Sequence, residues 1–203
     1  MTVPFRPRPS AGALEAQVDR VLPAYQAHLN DQGCGASFCS ALTGTARHMI
    51  AWLAINGSDV TELDIRSVGD FLSHDCACPA EFRSQFEAPS RWHAHRVLGD
   101  WFETGQTAVP PAIVTGGRLV EAFAGTLTAQ GYHESTRHAY AARCRHLIVW
   151  LYLQDSALAE FDGGVLQRFV DHDCACEHPH FYSLPSTHPR PGRSGRPRST
   201  ARS

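Results

Sequence analysis

From residue 14 to residue 30 the apolar positions Leu14, Val18, Val21, Leu22, Tyr25 and Leu29 recur every three or four residues. That is the period of one face of an α-helix. Pro23 lies inside the stretch and lacks the amide a helix interior requires, so it predicts a kink or a late start. A glycine-containing turn, DQGCGAS, follows, and then a second helical stretch from about Phe38 to Asn56, stopped by Asn56-Gly57. A shorter stripe, Val68, Phe71 and Leu72, runs into His74-Asp75-Cys76-Ala77-Cys78, where Pro79 ends it. A further helix is expected in SRWHAHRVLGDWFETG, ending at Gly105. No stretch alternates with the two-residue period of a strand, so the pattern predicts an all-α fold.

The pattern then repeats. Shifted by 98 residues, RHMIAWL (Arg47 to Leu53) falls on RHLIVWL (Arg145 to Leu151), and HDCAC falls on His172-Asp173-Cys174-Ala175-Cys176. Leu22, Tyr25 and Leu29 meet Val120, Phe123 and Leu127, and Phe71 meets Phe169, without a gap over about fifty residues. The long helix of the second copy is expected to start at Ser135, as an N-cap, and to reach about Gln154. Its short helix carries Val165, Leu166, Phe169 and Val170. Such self-similarity marks a tandem duplication, and HDCAC recurs because the whole unit recurs. The expected organisation is a flexible N-terminus (1–11), a first helical unit (12–106), a Pro/Gly linker (107–116), a second unit (117–182) and a disordered tail (183–203). The second unit reads as truncated, because nothing after it matches SRWHAHRVLGDWFETG.

Composition narrows the class. At 203 residues and 43% hydrophobic, the chain can bury a substantial core. No apolar run approaches the roughly 20 residues of a membrane helix, and MTVPFRPRPS lacks the apolar segment of a secretory signal. The expectation is a cytoplasmic protein with no membrane partner. Its seven cysteines are then more plausible as thiols or metal ligands than as disulfides. The net charge of −2 argues against a uniformly basic nucleic-acid binder. Yet all 18 basic residues are arginine, and from His188 onward five arginines occur with no acid.

The order of a helix, QGYHESTRHAYAARCRHLIVWL, ALAEFD and VLQRFVDHDCAC resembles the core-binding, SAM-like domain of tyrosine site-specific recombinases, the phage-integrase type. Ser135, Arg137, Tyr140, Trp150, Leu151 and Phe169 stand at the matching positions. The resemblance covers roughly residues 12 to 180. It implies two tandem small helical bundles that help clasp double-stranded DNA, in association with DNA integration or recombination. It also implies a separate catalytic domain, whose constellation is not found in this sequence. There is no lysine and no T-G-x-R helix start. One H-x-x-R, His93 to Arg96, stands without companions, and nothing after Tyr182 resembles a nucleophile helix. The chain is therefore expected not to cut DNA. Its alternatives are a helical interaction module (a partner of full-length recombinases or of itself) and a non-functional remnant.

Two sets of side chains are candidates for function. Arg47, His48, Arg137, His138, Arg143, Arg145 and His146 lie on or near the long helices and are expected to contact DNA phosphates. His74, Cys76 and Cys78, with His172, Cys174 and Cys176 in the second copy, offer zinc three N/S donors each. The fourth would come from His93 or His95, and from His178 or His180 in the second copy. The competing reading makes each HDCAC an ordinary helix end, with a histidine at the negative pole of the dipole and cysteines as small apolar groups. The sequence alone favours that reading, and hence no cofactor, because C-x-C is tighter than the usual zinc-ligand spacing.

Overall fold

The computed structural model describes residues 9–83 and 90–173. The described chain is all-helical: α1 (Ala11–Asp31), α2 (Ala36–Ile55), α3 (Ile65–Ser73), α4 (Arg91–Thr104), α5 (Pro111–Ala129), α6 (Glu134–Leu153) and α7 (Gly163–Asp171). Single 3₁₀ turns at Val60–Glu62 and Leu158–Glu160 precede α3 and α7, so the element order α1-α2-turn-α3 recurs as α5-α6-turn-α7. The expected tail and flexible start lie largely outside the described residues.

Local chemistry sets the boundaries. Ser10 caps α1 by accepting from the Ala13 amide, and Gly105 ends α4 in the left-handed region at φ +71°. Pro23 neither delays nor breaks α1. It sits on the exposed side, and the buried stripe from Leu14 to Leu29 holds the helix together across the missing hydrogen bond. The cap of α6 is His133, whose ring accepts from the Ser135 amide, rather than Ser135 itself.

The linker expected over 107–116 is mostly helix. The prolines start α5 instead of separating two units, since proline is well suited to a first helical turn. Thr107 is buried and donates to the Val60 carbonyl at 2.6 Å. Gly116 lets α5 approach α6 closely, because a Cβ there would stand 2.5 Å from Cγ2 of Ile148. Gly125 of the same helix faces open space. Gly125→Ala is therefore expected to stabilise the protein by about 0.5–1 kcal/mol through helix propensity. Gly116→Ala should destabilise it, since overpacking costs about 1–3 kcal/mol. Urea unfolding of the two variants checks the opposite signs.

The core also departs from two separate bundles. One buried cluster takes in residues from α1 to α4 together with Ile113 and Val149 of the second repeat. A smaller cluster holds Trp150, Leu151 and Val165. The reason is α4, whose Ala94, Val97, Leu98 and Trp101 cover the first repeat. At the positions 98 residues later the sequence reads PRPGRSGRPRSTAR, with no large apolar side chain. The consequence shows in matched pairs: Val21, Tyr25, Leu42 and Val68 are at most 3% exposed, whereas Leu119, Phe123, Tyr140 and Leu166 are 38–50% exposed.

A polar seam joins the repeats. Arg66 donates to the Tyr152 carbonyl at 2.6 Å and to Asp155 at 2.5 Å, and its guanidinium lies 4.6 Å from the centre of the Tyr152 ring. The Tyr152 hydroxyl donates to Asp64 at 2.9 Å, while the other oxygen of Asp64 caps α3. Burial raises the Asp64 carboxyl, but hydrogen bonds from Ser67 and Tyr152 outweigh it and hold the group below its ordinary value. Its contribution is thus present above the unfolded carboxylate value and is lost as pH falls through the lower folded one. Asp64→Ala is expected to cost about 1–2 kcal/mol, the size of a lost cap. The difference from the parent should shrink in acid denaturation below the carboxylate range.

Candidate metal centre

HDCAC begins where α3 stops. His74 is the residue after the last turn, in extended backbone. There it meets His48, which α2 carries on its buried face among Thr45, Ala46 and Met49. His48, His74, Cys76 and Cys78 each present one donor atom, and these four atoms all lie within 4.8 Å of one another. A zinc tetrahedron of two nitrogens and two sulfurs has edges of about 3.3–3.8 Å, given Zn–N of ~2.0–2.1 Å and Zn–S of ~2.3 Å. Nε2 of His48 and Sγ of Cys76 are already 3.3 Å apart.

The ring chemistry suits ligation. Nδ1 of His74 donates to the Phe71 carbonyl, which fixes the tautomer and leaves the Nε2 lone pair free. That Nε2 is buried without a hydrogen-bond partner, and a buried polar atom left unpaired is costly. Burial, followed by the nearby His74 and Arg83, pushes His48 down to about 4, so the ring is neutral at pH 7, as a ligand must be. Arg83 donates to the carbonyls of Cys78 at 2.8 Å and Cys76 at 3.2 Å, which pins the loop. Phe71 stacks on His74, and both His48 and Trp52 meet Phe71 edge-on. The donors therefore stand on a rigid aromatic floor.

The fourth donor is His48, not His93 or His95. His48 was expected to reach a phosphate, but at 3% exposure it cannot. Its counterpart His146 likewise packs edge-on against Phe169 and His172 rather than pointing along the open side of its helix. Of the remaining phosphate candidates, Arg47, His138 and Arg143 are exposed, and Arg145 is half-buried. Arg137 donates to the Thr128 hydroxyl at 2.6 Å, which ties it to the end of α5. Cys174, Cys176, His178 and His180 lie outside the described residues.

Two other groups are structural. His28, Asp100 and Glu103 also converge, but Asp100 is held by Arg96 at 2.9 Å and by the Tyr25 hydroxyl at 3.0 Å. That makes it a buried polar joint between α1 and α4, and it absorbs the arginine of the H-x-x-R motif. Burial, with Cys39 beside it, pushes the Cys34 thiol up to about 11, so it stays protonated at neutral pH.

No protein-family model matches the chain, and neither a curated protein nor a solved structure is similar to it.

Proposed function

We propose that the chain is a zinc-binding helical module in which His48, His74, Cys76 and Cys78 hold one ion. The observation that supports this reading is the convergence of two imidazoles and two thiols on one point, with Nε2 of His74 otherwise unpaired. The donor set, two nitrogens and two sulfurs, suits zinc over harder ions. All four positions are protein ligands and none is left for substrate, which is the arrangement of a structural site. The ion would fasten the loop after α3 to the middle of α2. The test is metal content. Purified protein should carry zinc, and Cys76→Ser with Cys78→Ser should remove one equivalent; unchanged content would sink the assignment.

A second reading gives this module its partner: double-stranded DNA, in integration or recombination. What favours it is α6, which presents exposed His138 and Arg143 beside Arg137 and Arg145, against a single acid, Glu134. On this reading the chain binds DNA as a core-binding unit does. Fluorescence anisotropy on a labelled ~30-bp duplex should show affinity falling log-linearly with salt. Arg143→Ala should then weaken binding to all sequences alike and reduce the salt slope by ~1. No binding at low salt would favour instead the interaction module. The exposed Leu119, Phe123 and Leu166 would then mark its docking face.

A further inference from the structure

We propose that the second repeat is a docking site for an amphipathic helix of another protein, which lies on α5, α6 and α7 as α4 lies on α1, α2 and α3, and which presents a carboxylate to Arg143. The inference goes beyond the metal reading and does not depend on it.

The template is inside the chain. α4 packs on α1, α2 and α3, and its Ala94, Val97, Leu98 and Trp101 share one buried cluster with Val21, Tyr25, Leu42 and Val68. Beneath that cover the two repeats are alike. Phe169 stacks on His172 at 5.2 Å and 21°, where Phe71 stacks on His74 at 5.3 Å and 20°. Leu119, Phe123, Tyr140 and Leu166 therefore stand where the first repeat receives its helix, and they remain large and apolar although all four are exposed. A surface of this kind takes a helix through apolar residues three and four apart, the spacing of Ala94, Val97, Leu98 and Trp101.

The same contrast holds just beyond the helix. In the first repeat Thr107, which follows α4, donates to the Val60 carbonyl, and Val60 is 3% exposed. In the second, Leu158 replaces Val60, is 38% exposed and lines an open cavity of about 370 Å³ with Ala112, Gly116, Ile148 and Tyr152. Ala112 stands 98 residues after Leu14, so the side chain that fills this place in the first repeat is reduced to a methyl group. Residues following a docked helix would occupy the cavity.

Charge selects the occupant. Thr45, between Leu42 and Met49 on the stripe of α2, is 1% exposed, and its counterpart is the exposed Arg143. A helix laid over Tyr140 would take this guanidinium out of water, and a buried charge requires a counter-charge. A second copy of the same face offers none, since Leu119, Phe123, Tyr140 and Leu166 are all uncharged. Residues 174–203 hold five arginines and one acid, Glu177, so they do not complement Arg143 either. A helix of the α4 kind does, because Asp100 is 2% exposed on its packed side. In the first repeat Asp100 is met by Arg96 and by the Tyr25 hydroxyl. In the second, Phe123 replaces Tyr25 and the receiving surface supplies its own cation.

The probe is a fluorescein-labelled peptide of residues 90–105 carrying Arg96→Ala, which leaves Asp100 without the cation of its own helix. Anisotropy against the full chain should show saturable one-to-one binding, with helicity gained in circular dichroism. Phe123→Asp and Leu166→Asp, both at exposed positions, should each weaken it by about tenfold or more. Arg143→Glu should weaken it similarly, and a peptide that also carries Asp100→Arg should recover binding to that variant, an inversion that misfolding does not produce. No saturable binding, or binding that Phe123→Asp and Leu166→Asp leave unchanged, overturns the docking site. Loss in those two variants with no response to Arg143→Glu overturns the carboxylate and with it the stated partner. Sedimentation showing a dimer that Phe123→Asp dissolves gives the face to a second copy and overturns the proposal. So does an Arg143→Ala variant that loses affinity for duplex DNA and none for the peptide. Zinc content is measured on the same variants and should not change, so the metal reading stands or falls separately.

Discussion

If His48, His74, Cys76 and Cys78 hold zinc as proposed, a chelator should lower the protein's melting temperature by roughly 8–16 °C. The size follows from linkage. An ion present at a thousandfold over its Kd stabilises the folded state by about 4.1 kcal/mol, provided that the unfolded chain does not bind it. In a chain of this length each kcal/mol moves the midpoint by roughly 2–4 °C. The site's position in the core makes the loss more than local. His48, one of the donors, and Phe71, on which His74 stacks, are also part of what joins α2 to α3. His48 Nδ1 and His74 Nε2 are buried without hydrogen-bond partners, and a bound ion would satisfy the second of these. Differential scanning calorimetry with chelator, and again after zinc is restored, measures the shift. A midpoint that does not move on chelation would show that the cluster carries no ion of structural weight. A shift that zinc does not reverse would point to chelator damage rather than to the site.

The helices were legible because their apolar positions keep a strict period. The stripe from Leu14 to Leu29 survives even Pro23, and Val68 and Phe71 on α3 fall on the buried side as their spacing requires. The cluster was half legible. His74, Cys76 and Cys78 sit together in the chain, but His48 is 26 residues upstream and is brought close only by packing. Beside Arg47 it resembles part of a basic patch. The signal that finds it is the helical register: His48 and Trp52 lie four residues apart, on the side of α2 that faces Phe71. The duplication carries the same hint, since His146 precedes His172 by the interval that separates His48 from His74. The misread linker has another cause. Prolines and glycines at 110–117 look like punctuation, yet here the prolines open α5 and Gly116 gives room to Ile148. Composition does not tell a glycine that breaks a helix from one that lets two helices touch. Only the neighbour does.

Trp101→Ala should cost about 3–5 kcal/mol, the range for emptying a large aromatic site in a core. Trp101 is 0% exposed and meets Tyr25 edge-on with ring centres 6.0 Å apart. It is also the largest side chain of α4 that is fully buried. Its loss therefore weakens the element that covers the first repeat. A control separates packing from hydrogen bonding: the indole Nε1 is buried without a partner, so the ring's polar group contributes nothing that a hydrocarbon would miss. Trp101→Phe is accordingly expected to cost less than half as much as Trp101→Ala, because it keeps most of the aromatic volume and removes an unpaired donor. Guanidinium unfolding of the two variants reads this ratio directly. If Phe and Ala cost the same, the indole donor has a partner after all, and α4 is held by a bond rather than by shape. If Ala costs under about 1 kcal/mol, α4 does not cover the first repeat in solution. The exposed faces of the two repeats would then be alike.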